Sequence, residues 1–127
     1  MDDHDARRAR FMRRVDAWLA ADLDAYMDCW TDDMAIELPS GWVEGRDDYR
    51  ELVRGGFAWA EPVSFTVHHL AFEDDFDVAL ADWTIRARRR KDGALIEWRG
   101  LSVCSYRDDR ISWWREHHLA PPAPIEG

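Results

Sequence analysis

Residues 111–119 read ISWWREHHL, an alternating, aromatic-rich run of strand length that follows Asp108-Asp109 and stops just before Pro121-Pro122. Strand geometry turns successive side chains to opposite faces. Ser112, Trp114, Glu116 and His118 therefore share one face, and Trp113, Arg115 and His117 share the other. A closing strand bounded by water usually carries one plain polar face. This one carries rings and ionisable groups on both. The pattern predicts a ligand pocket on one side and a subunit contact on the other.

Working back from this stretch, three more strand-like runs precede it, at residues 64–72, 78–90 and 95–106. The connectors Glu73-Asp74-Asp75, Asp92-Gly93 and Asp108-Asp109 are short enough for antiparallel hairpins. Before Pro62 the period is helical. Phe11, Val15, Trp18 and Leu19 form one stripe of a helix over about residues 5–20. Asp22 is an N-cap for a short second helix carrying Leu23, Tyr26, Met27 and Trp30. Met34–Leu38 reads as a short strand, and Asp47 as the cap of a third helix with Tyr49, Leu52, Val53 and Phe57, weakened at its end by Gly55-Gly56. Helices followed by a meander give an α+β fold. The expected form is a curled antiparallel sheet wrapped by the N-terminal helices into a cone with an internal pocket. It makes a single domain over residues 1–119, with a flexible tail at 120–127.

The composition narrows the function. With 127 residues, eight Trp and 46% hydrophobic content the chain can pack one core. A net charge of −9 argues against nucleic acid and anionic membranes as partners. The basic clusters Arg7–Arg14 and Arg86–Lys91 read as solvated faces. Cys29 and Cys104 have no metal or redox spacing, and the N-terminus is too charged for a signal peptide. No apolar run approaches membrane length, so the expected location is the cytoplasm. No tight histidine spacing points to a metal, and no cofactor is expected.

The order of elements, with WTDDMAIELP, EGRDDYREL and YRDDRISWWREHHL, resembles the nuclear-transport-factor-2-like superfamily and within it the SnoaL-like branch. The resemblance covers nearly the whole chain and implies a cystatin-like roll. It also implies a function among cyclases, isomerases, dehydratases, epoxide hydrolases and proteins without catalysis. The ending WREHHL is similar to that of the limonene-epoxide-hydrolase group, which implies that Glu116 faces the pocket and that Asp82 matches a second family carboxylate. The chain departs from that group at Leu80, where the group has an arginine, and at Ala35 and Glu37, where it has a tyrosine and an asparagine. Similarity to the dehydratase branch would instead give the pocket His68.

Alternation from these anchors adds Leu80, Trp98, Trp114 and His118 to the pocket face, with Glu37 from the first strand and Tyr26 and Trp30 from the second helix. An apolar cavity cannot keep two or three carboxylates ionised together. A protonated and an unprotonated carboxyl side by side make an acid/base pair. Asp82 and Glu116 are expected to be that pair, with Glu37, His118 or His68 orienting a small polyketide- or terpenoid-like substrate or relaying a proton. A register shift of one would instead turn Asp82 to solvent. With Asp82 and Glu116 in the pocket, Trp83 and Trp113, with Ala79, Ala81 and Ile85, form an apolar outer face and an expected homodimer contact. The competing readings are a non-catalytic site for an organic cation, built from tryptophans and carboxylates, and a structural dimer whose cavity is filled by side chains.

Overall fold

Two short-range signals decide how the chain begins. Every third or fourth residue of the first segment is apolar, and the computed structural model, which describes residues 3–73 and 77–125, forms α1 there (Asp3–Leu19). Phe11 and Val15 lie fully inside. The Asp22 carboxylate then accepts the Ala25 N–H at 3.1 Å and starts α2 (Leu23–Met27). Trp30, expected at the end of that helix, instead opens β1 (Trp30–Leu38). Gly41 turns the chain into β2 (Gly41–Glu44), a strand inside what the sequence suggested was a loop. Gly45, at φ +89°, precedes α3 (Arg46–Trp59), so Asp47 sits in the first turn rather than at the cap. The helix runs through Gly55-Gly56 to Trp59.

Four long strands complete the fold: β3 (Ala60–Glu73), β4 (Val78–Arg89), β5 (Leu95–Arg107) and β6 (Arg110–Pro124). The expected α+β architecture holds, with a curled, unclosed sheet in the order β2-β1-β6-β5-β4-β3. The pairing is antiparallel except between β1 and β6, which run parallel and make the sheet mixed. Residues 74–75 of the proposed first hairpin turn lie outside the described residues. Residues 120–124, read as tail, are strand: Ala120, Ala123 and Pro124 pair with β5, and the Ile125 N–H donates to the Leu95 carbonyl at 2.9 Å. The last two tail residues lie outside the described residues. Among the described residues no helix is long and apolar enough to cross a membrane.

The inner face of the sheet packs on the helices. On β5 it carries the expected Trp98, with Ile96, Gly100, Ser102 and Cys104 alternating with it, and on β6 the expected Trp114, Glu116 and His118. On β4 the expected face is inverted. Ala79, Ala81, Trp83, Ile85 and Ala87 are buried, while Leu80, Asp82, Thr84 and Arg86 point outward. Small and apolar residues alternate with polar ones there, and burial of the apolar set fixes the register. The aromatic dimer patch expected from Trp83, Ala79, Ala81 and Ile85 therefore does not exist on the outside.

Candidate functional site

Asp82 and Glu116 do not meet, because they lie on opposite faces of the sheet. A β-bulge between Val67 and His69 shifts the β3 register. It turns both His68 and His69 outward, whereas Phe65 and Val67 before it and Leu70 and Phe72 after it pack on the core. His69 Nδ1 lies 2.9 Å from an Asp82 oxygen, and His68 Nε2 lies 2.7 Å from Thr84 Oγ1. Leu80 is exposed beside them. Glu37 is also on this outer face, paired with Arg115 of the neighbouring β6. Asp82, His68, Leu80 and Glu37 are thus removed from the internal pocket. Together with Leu101, Val103 and His117, three of these neighbours (His69, Leu80 and Asp82) line a shallow outer groove of about 460 Å3.

The inner face gathers a different set. Glu116 and His118 are two residues apart on β6 and both point inward, opposite Ser102 and Gly100. Glu116 Oε1 accepts the Trp114 indole N–H at 3.1 Å. Its Oε2 lies 3.0 Å from His118 Nε2. A carboxylate only accepts, so Nε2 carries the proton and a neutral His118 presents the Nδ1 lone pair. The imidazole is held edge-on against the Trp83 ring, with centroids 6.2 Å apart. Trp83 reaches that position by crossing Gly100, where an added Cβ would lie 2.5 Å from its ring. The Trp83 indole N–H donates to Ser102 Oγ at 3.1 Å, which fixes the ring.

This pair stands at a cleft of about 810 Å3 that also includes Leu38, Glu51, Leu52, Trp59 and Trp98. The cleft adjoins an inner cavity of about 260 Å3, and the two share Leu38, Leu52, Gly56, Trp59 and Trp98. Deeper in, the cavity is bounded by Trp18, Tyr26, Tyr49 and Phe57. Of the expected substrate contacts, Tyr26 and Trp98 line the cavity. Trp114 is wholly buried behind Glu116, and Trp30 is core, packed on Tyr49 with ring centroids 4.9 Å apart.

At the closed end Tyr26 and Tyr49 share a hydrogen bond between hydroxyls at 2.8 Å. Burial raises the Tyr49 pKa well above its ordinary value, with Tyr26 adding to the effect, so its hydroxyl stays protonated. Behind them lies Arg14, buried, with its guanidinium carbon 4.2 Å from the centre of the Trp114 ring. Desolvation opposes its charge, but Tyr26, Tyr49 and Glu116 favour it, and the net shift is upward. Sequence reasoning missed Arg14 by treating Arg7–Arg14 as one solvated run. The signal was its spacing, three residues after Phe11 and four before Trp18 on the buried stripe. The Cys104 thiol is not a nucleophile at neutral pH, since burial pushes it up to about 11.

Comparison with known proteins places this geometry among related folds. A family model for the SnoaL-like domain matches residues 10–114. A comparison with curated proteins finds no match. Among solved structures, a candidate isomerase from Bacillus subtilis superposes with a TM-score of 0.83 at 17% identity, covering 93% of this chain and 89% of that one. SalBIII, an epoxide hydrolase/cyclase-like enzyme of pyran-ring formation in salinomycin, gives 0.79 at 17% identity over 93% of this chain and 94% of that one. A candidate polyketide cyclase from Pseudomonas putida gives 0.72 at 12% identity over 85% and 87%. At these identities the likeness is one of fold.

Proposed function

The chain belongs to the SnoaL-like domain family, and from that premise we propose that it is a cofactor-independent acid/base enzyme acting on a small, largely apolar molecule. The reaction is a cyclisation, isomerisation, dehydration or epoxide opening. Glu116 and His118 handle the proton, in place of the two carboxylates that the sequence suggested. The observation that carries this reading is the Glu116–His118 pair in the open cleft that adjoins the aromatic-walled cavity.

The roles follow from the hydrogen bonds. Trp114 and His118 both donate to Glu116, so the carboxylate is held in place and orients the imidazole. His118 Nδ1 accepts a proton from the substrate, and the imidazolium that forms is stabilised by the carboxylate beside it. In isomerisation, cyclisation and dehydration the same proton then returns to another atom of the substrate or to its departing hydroxyl. In epoxide hydrolysis His118 takes the proton from the attacking water and the opened epoxide oxygen receives it. The indole walls hold the substrate body. General-base catalysis of this kind contributes about 10²–10⁴-fold in rate.

Solvent-deuterium exchange followed by NMR tests this on model compounds. A panel of small aromatic ketones and epoxides is incubated with the protein in D2O, and both exchange and hydration are read. The wild type should accelerate one of them, and Glu116→Gln and His118→Gln should each lose that acceleration. Full activity in both variants would refute the assignment.

A homodimer through the outer sheet face is proposed as well, with Leu80 and Leu101 in place of the inward Trp83, Ala79, Ala81 and Ile85 and with Trp113 on the outer face as expected. Leu80 and Leu101 are exposed there, flanked by the mixed charges of Asp82, Glu37, Arg115 and His69. Sedimentation at micromolar concentration should show a dimer that Leu101→Asp dissociates. A wild-type monomer would overturn this proposal.

A further inference from the structure

Among the described residues, the Arg14 guanidinium is a buried cation whose Nε–H and one terminal NH2 find no hydrogen-bond partner. Its other terminal nitrogen makes only a long hydrogen bond of 3.5 Å to the Tyr26 oxygen. Burying a charge this way is costly, and an apolar side chain would fill the same surroundings without that cost. The charge is therefore explained by what it acts on. Phe11 and Arg14 of α1 both meet Trp114 of β6. The Phe11 ring stacks on the indole with centroids 6.2 Å apart, and the guanidinium carbon lies 4.2 Å from the centre of the indole ring. Phe65 adds a third ring at 5.4 Å. The same indole donates its N–H to Glu116 Oε1 at 3.1 Å, and Glu116 Oε2 lies 3.0 Å from His118 Nε2. Three successive contacts thus run from a buried charge on the first helix to the imidazole in the cleft. Desolvation opposes the Arg14 charge, and the Glu116 carboxylate is among the groups that favour it.

We propose that Arg14 is a positioning residue for the proton-handling pair, acting on Glu116 through the Trp114 indole. This rests on the acid/base reading above and extends it to a residue outside the walls of the cleft and the cavity. A cation over the face of an indole is attracted to the electron-rich ring and draws density from it. The ring nitrogen gives up part of that density, so its N–H becomes a stronger donor. Successive polar contacts strengthen one another in this way where little water screens them. The stronger bond pins Glu116 Oε1. The second carboxylate oxygen is then held toward His118 Nε2, which leaves Nδ1 aimed at the substrate. With a neutral side chain at position 14 the carboxylate swings more freely, and the imidazole loses its fixed direction.

The experiment is 1H–15N NMR of the eight indole groups in the full chain, with the Trp114 resonance assigned by its loss in Trp114→Phe. Arg14→Met should move the Trp114 N–H resonance upfield, as a weakened bond to Glu116 requires. Arg14→Lys, which keeps a cation, should restore part of the displacement, and Arg14→Gln replaces Arg14→Met if that variant fails to fold. Deuterium exchange into the methyl group of acetophenone supplies the second readout. Arg14→Met should slow it by up to about 100-fold through lost orientation, and in a Trp114→Phe background the same change should cost nothing further. A wild type without exchange refutes the acid/base reading, whereas the indole resonance by itself decides the Arg14 coupling. A Trp114 resonance unmoved in Arg14→Met, or moved equally in Arg14→Lys, would overturn the proposal. So would an Arg14→Met effect on exchange that persists undiminished in Trp114→Phe.

Discussion

The two faces of this sheet each carry one histidine–carboxylate pair of nearly the same length. His118 and Glu116 lie 3.0 Å apart on the inner face, and His69 and Asp82 lie 2.9 Å apart on the outer. The difference is in their surroundings. The inner side chains keep only 18% and 17% of their exposure, and tryptophan rings surround them. The outer histidine keeps 85%. In water the charged partners are solvated and screened, so the outer pair contributes little and gains no directed reactivity. On the largely buried inner face the same contact fixes a tautomer and strengthens the charge effects around it. Distance does not distinguish the two, whereas burial and held orientation do.

The sharpest way to break this comparison is to neutralise each pair in turn. Glu116→Gln or His118→Gln should cost about 10²–10⁴-fold in exchange rate, whereas Asp82→Asn and His69→Gln should leave the rate unchanged. The reverse pattern would move the site to the outer face. Next in size is Gly100→Ala. The new methyl would collide with the Trp83 ring and the His117 carbonyl, so unfolding titrations should show a loss of about 1–3 kcal/mol. Trp83→Phe keeps most of the ring but removes the donor to Ser102. It should cost about 1 kcal/mol, with activity falling as His118 loses its backing. Asp82→Asn should alter stability by no more than about 0.5 kcal/mol.

The smallest effect belongs to an ion pair away from both faces. The Asp92 side chain accepts from Arg89, which together with the Ala94 N–H lowers its pKa to about 2. Its unfolded value is about 3.9. A depressed folded pKa means stability that is present above the unfolded value and lost as pH falls through the folded one. The stability difference between wild type and Asp92→Asn should therefore shrink between about pH 4 and pH 2 and stay constant above that. A difference that grows on acidification would contradict the assignment.

The same contrast shows what the sequence could and could not disclose. The alternation of ISWWREHHL places Trp114, Glu116 and His118 on the inner face, because the two faces of that strand are legible in the residues themselves. On β4 the apolar series Ala79, Ala81, Trp83, Ile85 carries an equally clear signal. Family resemblance at Asp82 points the other way, and following it inverts the whole strand. The bulge at His68 leaves no such signal, since a one-residue insertion depends on how β3 meets β4 and not on local composition. The parallel β1–β6 pairing and the closure of the cavity by Tyr49 are contacts between distant segments, and one sequence cannot show them. Arg14 is legible in principle, because helical spacing puts it on the buried stripe. The dense charges of the preceding helical turns hide it.

The most direct test of the inner-face assignment is long-range 1H–15N NMR of the five histidines, with acetophenone titrated into the full chain. His118 should appear as the Nε2–H tautomer when neutral, lose that bias in Glu116→Gln, and shift on addition of the ketone while His69 does not. A neutral His118 protonated on Nδ1, or ketone-dependent shifts confined to His69 and His117, would contradict the assignment and move the functional site to the outer groove.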